Sequence, residues 1–173
     1  MGPVKKLEER DCGMLEICSY AAAYQKEIID LILHIQQEEF GIPITVDDQP
    51  DLTSIESFYQ KDGDFWVALE NGCVVGTVAA KNIGGGNAML RKMFVRKEYR
   101  GKYKNVSGCL LQKPLEWAKE KPLRRILLGT TPQYIAAHRF YEQHGFVEIR
   151  RADLPDSFPV MEVDKKFYCY TLI

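Results

Sequence analysis

The stretch from residue 88 to residue 129 constrains this chain more than any other part of it. An apolar, β-forming run at 88–96 passes into a basic, small-residue stretch at 96–108. A helical segment ending near Lys119 and an apolar strand at 125–129 follow. That order is a β–loop–α–β unit, which points to a layered α/β (α+β) domain. The loop carries Arg96, Lys97, Arg100, Lys102 and Lys104. The first-turn N–H groups of the helix behind it lack intrahelical partners, and the helix dipole places about half a positive charge there. Small residues at that turn let a diphosphate come close. Taken alone, the same loop also reads as a solvated basic turn.

The segments before this unit have distinct textures. Residues 14–19 are short and apolar, a first strand. Across 24–40, Ile28, Leu31, Ile32 and Ile35 recur at i, i+3, i+4 and i+7, which predicts an amphipathic helix ended by Gly41 and Pro43. Residues 41–50 form a loop, and Asp51 is expected to cap a short helix over 52–59. Residues 65–70 and 73–83 then read as a hairpin, because Asn71-Gly72 supplies the positive φ angles of a tight turn. The triplet Gly84-Gly85-Gly86 resembles a phosphate loop only superficially. It opens onto a strand, and a phosphate cradle must open onto a helix, so a plain hairpin is expected.

The chain has 173 residues, and 23 Lys and Arg against 24 Asp and Glu give a net charge of −1. No global field therefore favours nucleic acid or an anionic membrane. The length suits a single domain over residues 14–173, with residues 1–13 as a flexible leader. Five scattered cysteines without C-x-x-C spacing fit a reducing cytoplasm rather than a disulfide scaffold or a metal site. His34, His138 and His144 share no metal spacing either, so no metal is expected. No stretch approaches the roughly 18 apolar residues of a membrane span.

Downstream, residues 130–146 read TTPQYIAAHRFYEQHGF. Thr131 and Pro132 predict a helix start, with a helix over 132–144 and a left-handed stop at Gly145. Strands near 146–150 and 166–172 close the chain. Together with the basic loop, this segment resembles the GCN5-related N-acetyltransferases (GNAT). Their acetyl-CoA loop has the form Q/R-x-x-G-x-G/A, and their next helix reads roughly N-x-x-A-x-x-x-Y-x-x-x-G-F. Tyr134 stands where the Asn is usual, while Ala137, Tyr141, Gly145 and Phe146 match. The loop departs further: Asn105 and Ser107 occupy the two small positions and Lys102 the Gln/Arg position, in a loop that reads longer than the common one. Asn is the best non-glycine residue at positive φ, and Ser is small, so the backbone can still wrap phosphate. Pro114, inside the following helix, predicts a kink or an early break near Gln112.

The resemblance implies a mixed, mostly antiparallel sheet with helices on both faces and a splayed central strand pair. Acetyl-CoA would be the co-substrate, held by Met93, Phe94 and Val95 on the strand. Arg100, Gly101, Lys102, Tyr103, Lys104, Asn105, Val106 and Ser107 would hold it in the loop, and Tyr134, Ala137 and His138 on the helix. It further implies direct transfer of the acetyl group to a primary amine of a small molecule or peptide in a ternary complex. A backbone N–H near Val95 would stabilise the oxyanion and Tyr141 would protonate the leaving thiolate. On periodicity alone, Tyr141 reads better as a core aromatic with a satisfied hydroxyl, and His138 as a surface or packing histidine. The general base is open: Glu38 or Glu39, beside Asp47, Asp48 and Asp51 in an acidic end that would attract a cationic amine, or a water chain. Cys109 is read as packing. The competing reading is a non-catalytic acyl-CoA-binding sensor on the same scaffold. A homodimer is left open.

Overall fold

The structure, a computed structural model, describes residues 15–101 and 105–172. The proposed leader and Lys102, Tyr103 and Lys104 lie outside the described residues. Seven strands, β1 (Leu15–Ser19), β2 (Gly63–Glu70), β3 (Cys73–Gly84), β4 (Asn87–Val95), β5 (Arg125–Thr130), β6 (Val147–Ile149) and β7 (Lys166–Thr171), form one sheet in the order β1-β2-β3-β4-β5-β7-β6. The helices are α1 (Gln25–Leu33), continued by a π-helical turn at His34–Glu39, then α2 (Ile55–Tyr59), α3 (Val106–Lys119) and α4 (Ile135–Gln143).

The central strands are apolar on both faces, because helices cover both. Along β2, Phe65, Val67 and Leu69 pack with α1 and α2, while Trp66 and Ala68 pack on the other face with Val106, Leu110 and Leu111 of α3. The β2–β3 hairpin turns at Asn71 (φ +52°) and Gly72 (φ +80°), both left-handed as the sequence demands. The glycine triplet is the plain β3–β4 hairpin.

Three local expectations are corrected. Pro114 does not break α3, which runs without interruption from Val106 to Lys119. Pro114 lies on the buried stripe of Val106, Leu110, Leu111 and Ala118, so packing against the sheet offsets the missing hydrogen bond. The helix expected from Pro132 begins at Ile135 instead. The Thr131 carbonyl accepts hydrogen bonds from the Tyr134 N–H (3.1 Å) and from His138 Nε2 (3.0 Å), which hold residues 131–134 as a turn. Asp51 caps nothing. It is buried in a 3-10 turn, Pro50–Thr53, and its carboxylate accepts a 2.5 Å hydrogen bond from the Tyr59 hydroxyl.

The feature that positions the site is the seam between β4 and β5. These strands run parallel and pair only at Asn87↔Arg125, Ala88↔Ile126 and Met89↔Leu127. Past Met89 they splay, and every other pairing in the sheet is antiparallel.

Candidate active site

A cavity of about 780 Å³ fills the gap opened by the splayed strands. Its lining comes from both faces of the sheet. Leu128, Ala137 and Tyr141 belong to the α3 and α4 side, and Ile35, Phe40 and Phe158 to the α1 side. It is therefore a passage through the sheet with two approaches.

The start of α3 forms part of the lining. Asn105 is left-handed (φ +52°), as is Gly101 (φ +105°), and Asn105, Ser107 and Gly108 line the cavity. Val106, Ser107 and Gly108 form the first turn of this helix, where N–H groups have no intrahelical partner. Gly108 leaves room for the Asn105 side chain: a Cβ there would stand 2.4 Å from Asn105 Oδ1 and would push that amide aside. Arg100 lines the cavity, but its donors are engaged by protein. Nε donates to the Val95 carbonyl (2.8 Å), and the two terminal nitrogens grip both oxygens of Glu39.

Two tyrosines line the same cavity. Tyr134 packs edge-on against Phe40, with centroids 4.9 Å apart, and Phe94. Tyr141 is buried among Phe140, Phe146 and Tyr168, yet it also lines the cavity. Among the described residues its hydroxyl bonds to no protein group, nor is that oxygen sealed from open space. Burial, reinforced at Tyr134 by Asp164 and Glu39 and at Tyr141 by Tyr134 and Asp164, makes both phenols weaker acids, so they stay protonated across the physiological range.

Of the residues named from the sequence, Met93, Phe94, Val95, Arg100, Gly101, Asn105, Ser107, Tyr134, Ala137 and Tyr141 line this one cavity. Val106 sits in the core beneath it, and His138 is turned away onto Thr131. Glu38 is exposed and outside the lining. Glu39, also outside it, is clamped by Arg100, whose hydrogen bonds hold its carboxyl below the usual range. The expected acidic end is not assembled. Asp47 is exposed, Asp48 is taken by the Thr45 N–H and hydroxyl (3.0 Å each), and Asp51 is part of the core.

Sequence reasoning missed three residues here. Asp164, from the loop before β7, lines the cavity and lies directly against β5: a Cβ on Gly129 would meet its Oδ2 at 2.7 Å. Burial raises its carboxyl pKa above the usual range, against the opposing pull of Arg91, a Met161 backbone hydrogen bond, Lys92 and Lys165. No side-chain donor reaches it among the described residues. Arg91 and Lys92 owe their place to a β-bulge. Lys92 has φ +53°, and the β3–β4 register slips between Thr77 and Ala79. Successive residues of a regular strand face opposite ways, but this bulge turns two consecutive cations toward the same carboxylate, Asp51, at 4.0 and 3.6 Å. A Gly at 129 and a cationic pair in an otherwise apolar strand are the only traces these features leave in the sequence.

Among the described residues, no group of three or more His, Cys, Asp or Glu is placed to hold a metal ion. No helix among them is long and apolar enough to cross a membrane.

A split sheet with a passage through it that is lined by a helix start and a buried tyrosine defines a class of acyl-transfer folds. Residues 29–146 match the model of the acetyltransferase (GNAT) family. The chain belongs to the GNAT family. A GNAT-family acetyltransferase of Staphylococcus aureus Mu50 superposes with a TM-score of 0.89 at 42% identity, covering 92% of this chain and 99% of that one. The N-acetylaspartate synthetase of Xenopus tropicalis is 42% identical over 102 residues, 57% of this chain and 37% of its own length. Streptothricin acetyltransferase A of Bacillus subtilis (strain 168) is 34% identical over 101 residues, 58% of this chain and 56% of its own. The chain thus matches about a third to a half of the length of these curated relatives.

Proposed function

We propose that the chain transfers an acetyl group from acetyl-CoA to the amine of a small molecule by direct attack in a ternary complex. The observation that carries this reading is the passage itself, lined both by the first turn of α3 and by the buried Tyr141. The relatives named for acetylating aspartate and streptothricin support an amine acceptor.

In this reading the diphosphate of the coenzyme rests on the N–H groups of Val106, Ser107 and Gly108, where the helix dipole favours negative charge. The pantetheine arm lies along β4 past Met89, whose edge has no β5 partner, and pairs with it as an added strand. The thioester then reaches the depth of Tyr141, with a β4 N–H near Val95 facing the developing oxyanion.

The amine nitrogen attacks the carbonyl carbon and forms the C–N bond, and the C–S bond breaks. The nitrogen gives up a proton to Asp164, the carboxylate that opens onto the same cavity. The leaving sulfur takes one from the Tyr141 hydroxyl, and solvent carries the balancing proton from Asp164 back to the phenolate. Asp164 replaces Glu38 and Glu39 as the base because it lines the cavity and is free of a side-chain clamp.

The test is release of free thiol from acetyl-CoA in the presence of amino acids, amino sugars, polyamines and short peptides. Release above the amine-free rate with at least one class is expected. No release with any class, while coenzyme A still binds, would leave the chain a sensor.

A further inference from the structure

We propose that the acceptor is an amino-acid-like zwitterion, its carboxylate received by Arg91 and its amine turned toward Asp164; this rests on the amine-acetylating reading of the same cavity. The starting observation is an arginine with almost nothing to hold. The Arg91 side chain is 14% exposed, and among the described residues its one hydrogen bond to a protein group runs to the Met161 thioether at 2.9 Å. A thioether is a weak acceptor, and a guanidinium carries five N–H donors in a planar fork shaped for a carboxylate.

The nearest carboxylate does not satisfy it. Asp51 is 4.0 Å away, beyond hydrogen-bonding reach, and already accepts from the Tyr59 hydroxyl and faces Lys92 at 3.6 Å. Lys92 is itself occupied: it is buried, and its ammonium donates to Gln49 Oε1 at 2.6 Å. Among the described residues, Arg91 makes no ion pair with Asp164 either, although each feels the other's charge. The buried Asp51 carboxylate thus faces both the buried Lys92 and the partly buried Arg91, and no hydrogen bond ties the Arg91 guanidinium to it among the described residues.

The guanidinium faces open space. None of the remaining Arg91 N–H groups is a sealed, unsatisfied donor, and the residue lines the cavity. The Phe58 ring, whose centroid is 6.0 Å from Cζ, backs the guanidinium on another side. Asp164, which lines the same cavity, supplies the complementary negative charge. A small molecule bearing one ammonium and one carboxylate matches both ends at once. A polyamine would bring a second cation against Arg91 and Lys92 and would be disfavoured.

The experiment is a calorimetric titration of the full chain, with coenzyme A in excess, using L-aspartate, L-glutamate, glycine and β-alanine, each against its carboxamide counterpart, and spermidine. At least one acid is expected to bind about tenfold or more tightly than its amide, the usual effect of a charge-assisted hydrogen bond. Arg91→Met should abolish that difference and Arg91→Lys should restore part of it, with coenzyme affinity unchanged in both. The inference is overturned if no acid outbinds its amide, if spermidine binds best, or if Arg91→Met keeps the preference. Should Arg91→Met fail to fold, the acid-against-amide comparison on the unaltered chain decides alone. Thiol release measured alongside separates the two readings. Release without a carboxylate preference sinks this inference and leaves acetyl transfer standing, while the preference without release does the reverse.

Discussion

At Tyr141 the demands of packing and of acid chemistry coincide. The aromatic cage that buries the ring also keeps the phenol protonated, and the open side of its hydroxyl is the cavity. Tyr141→Phe keeps the cage and deletes the donor, so turnover should fall about a hundredfold or more, the usual contribution of a positioned acid, with the KM for acetyl-CoA nearly unchanged. Steady-state thiol release measures both, and an unaltered kcat would move the proton source elsewhere. Asp164 has the opposite character. A base works only when ionised, so activity should rise with pH through its pKa, and burial places that limb above the usual carboxylate range. Asp164→Asn should remove the limb and leave only the higher one contributed by the amine. A pH profile of kcat/KM in which the lower limb persists in Asp164→Asn would rule Asp164 out.

At the scale of the element, α3 and β4 each depend on one left-handed residue. At the start of α3, Asn105→Gly should preserve coenzyme affinity. Asn105→Val, with a β-branched carbon at φ +52°, should cost about 1–2 kcal/mol and raise the KM for acetyl-CoA several-fold without lowering kcat. Equal KM values in the two variants would mean that the turn does not present the amides. In β4, the bulge buries the Lys92 ammonium, and desolvation, stronger than the opposing pull of Asp51, lowers its pKa from 10.5 to about 8. Between those two values the folded chain binds fewer protons than the unfolded one, so this group makes stability rise with pH across that window. Below it the full cost is present, at most roughly 3 kcal/mol. Lys92→Met lacks the titrating group, so its urea midpoint should lose that rise relative to the unaltered chain between pH 8 and 10.5; a constant difference across the window would contradict the lowered pKa. The two elements also show what the sequence could reveal. The turn at Asn105 was legible because Asn is the local answer to a positive φ. The bulge was not, because nothing within β4 announces that Lys92 will be held by Gln49 and Asp51, more than forty residues upstream. Asp164 escaped notice for the same reason: its partner in packing is a glycine on another strand. The late start of α4 turned on the contest for the Thr131 carbonyl, which the His138 ring enters only once the chain has folded.

At the scale of the molecule, the sheet is two antiparallel ladders joined by a seam three residue pairs long. Everything past Met89 on that seam is held apart by the cavity rather than by hydrogen bonds, so β4 and β5 hold each other less firmly than β3 and β4 do. A coenzyme that pairs with the free edge of β4 and seats its diphosphate on α3 would bridge the gap, adding to the seam the contacts it lacks. Because such a ligand binds the folded chain and not the unfolded one, its free energy of binding appears directly as stability. At a coenzyme A concentration a hundred times its dissociation constant the gain is about 2.7 kcal/mol, which for a chain of this size raises the melting temperature by roughly 5–10 °C. The shift should shrink in Asn105→Val, which alters the diphosphate end, and survive in Tyr141→Phe, which alters only the thioester end. Thermal melts of the three proteins with and without coenzyme A make the comparison. A melting temperature indifferent to the coenzyme in the unaltered chain would show that the opened seam is closed by something else.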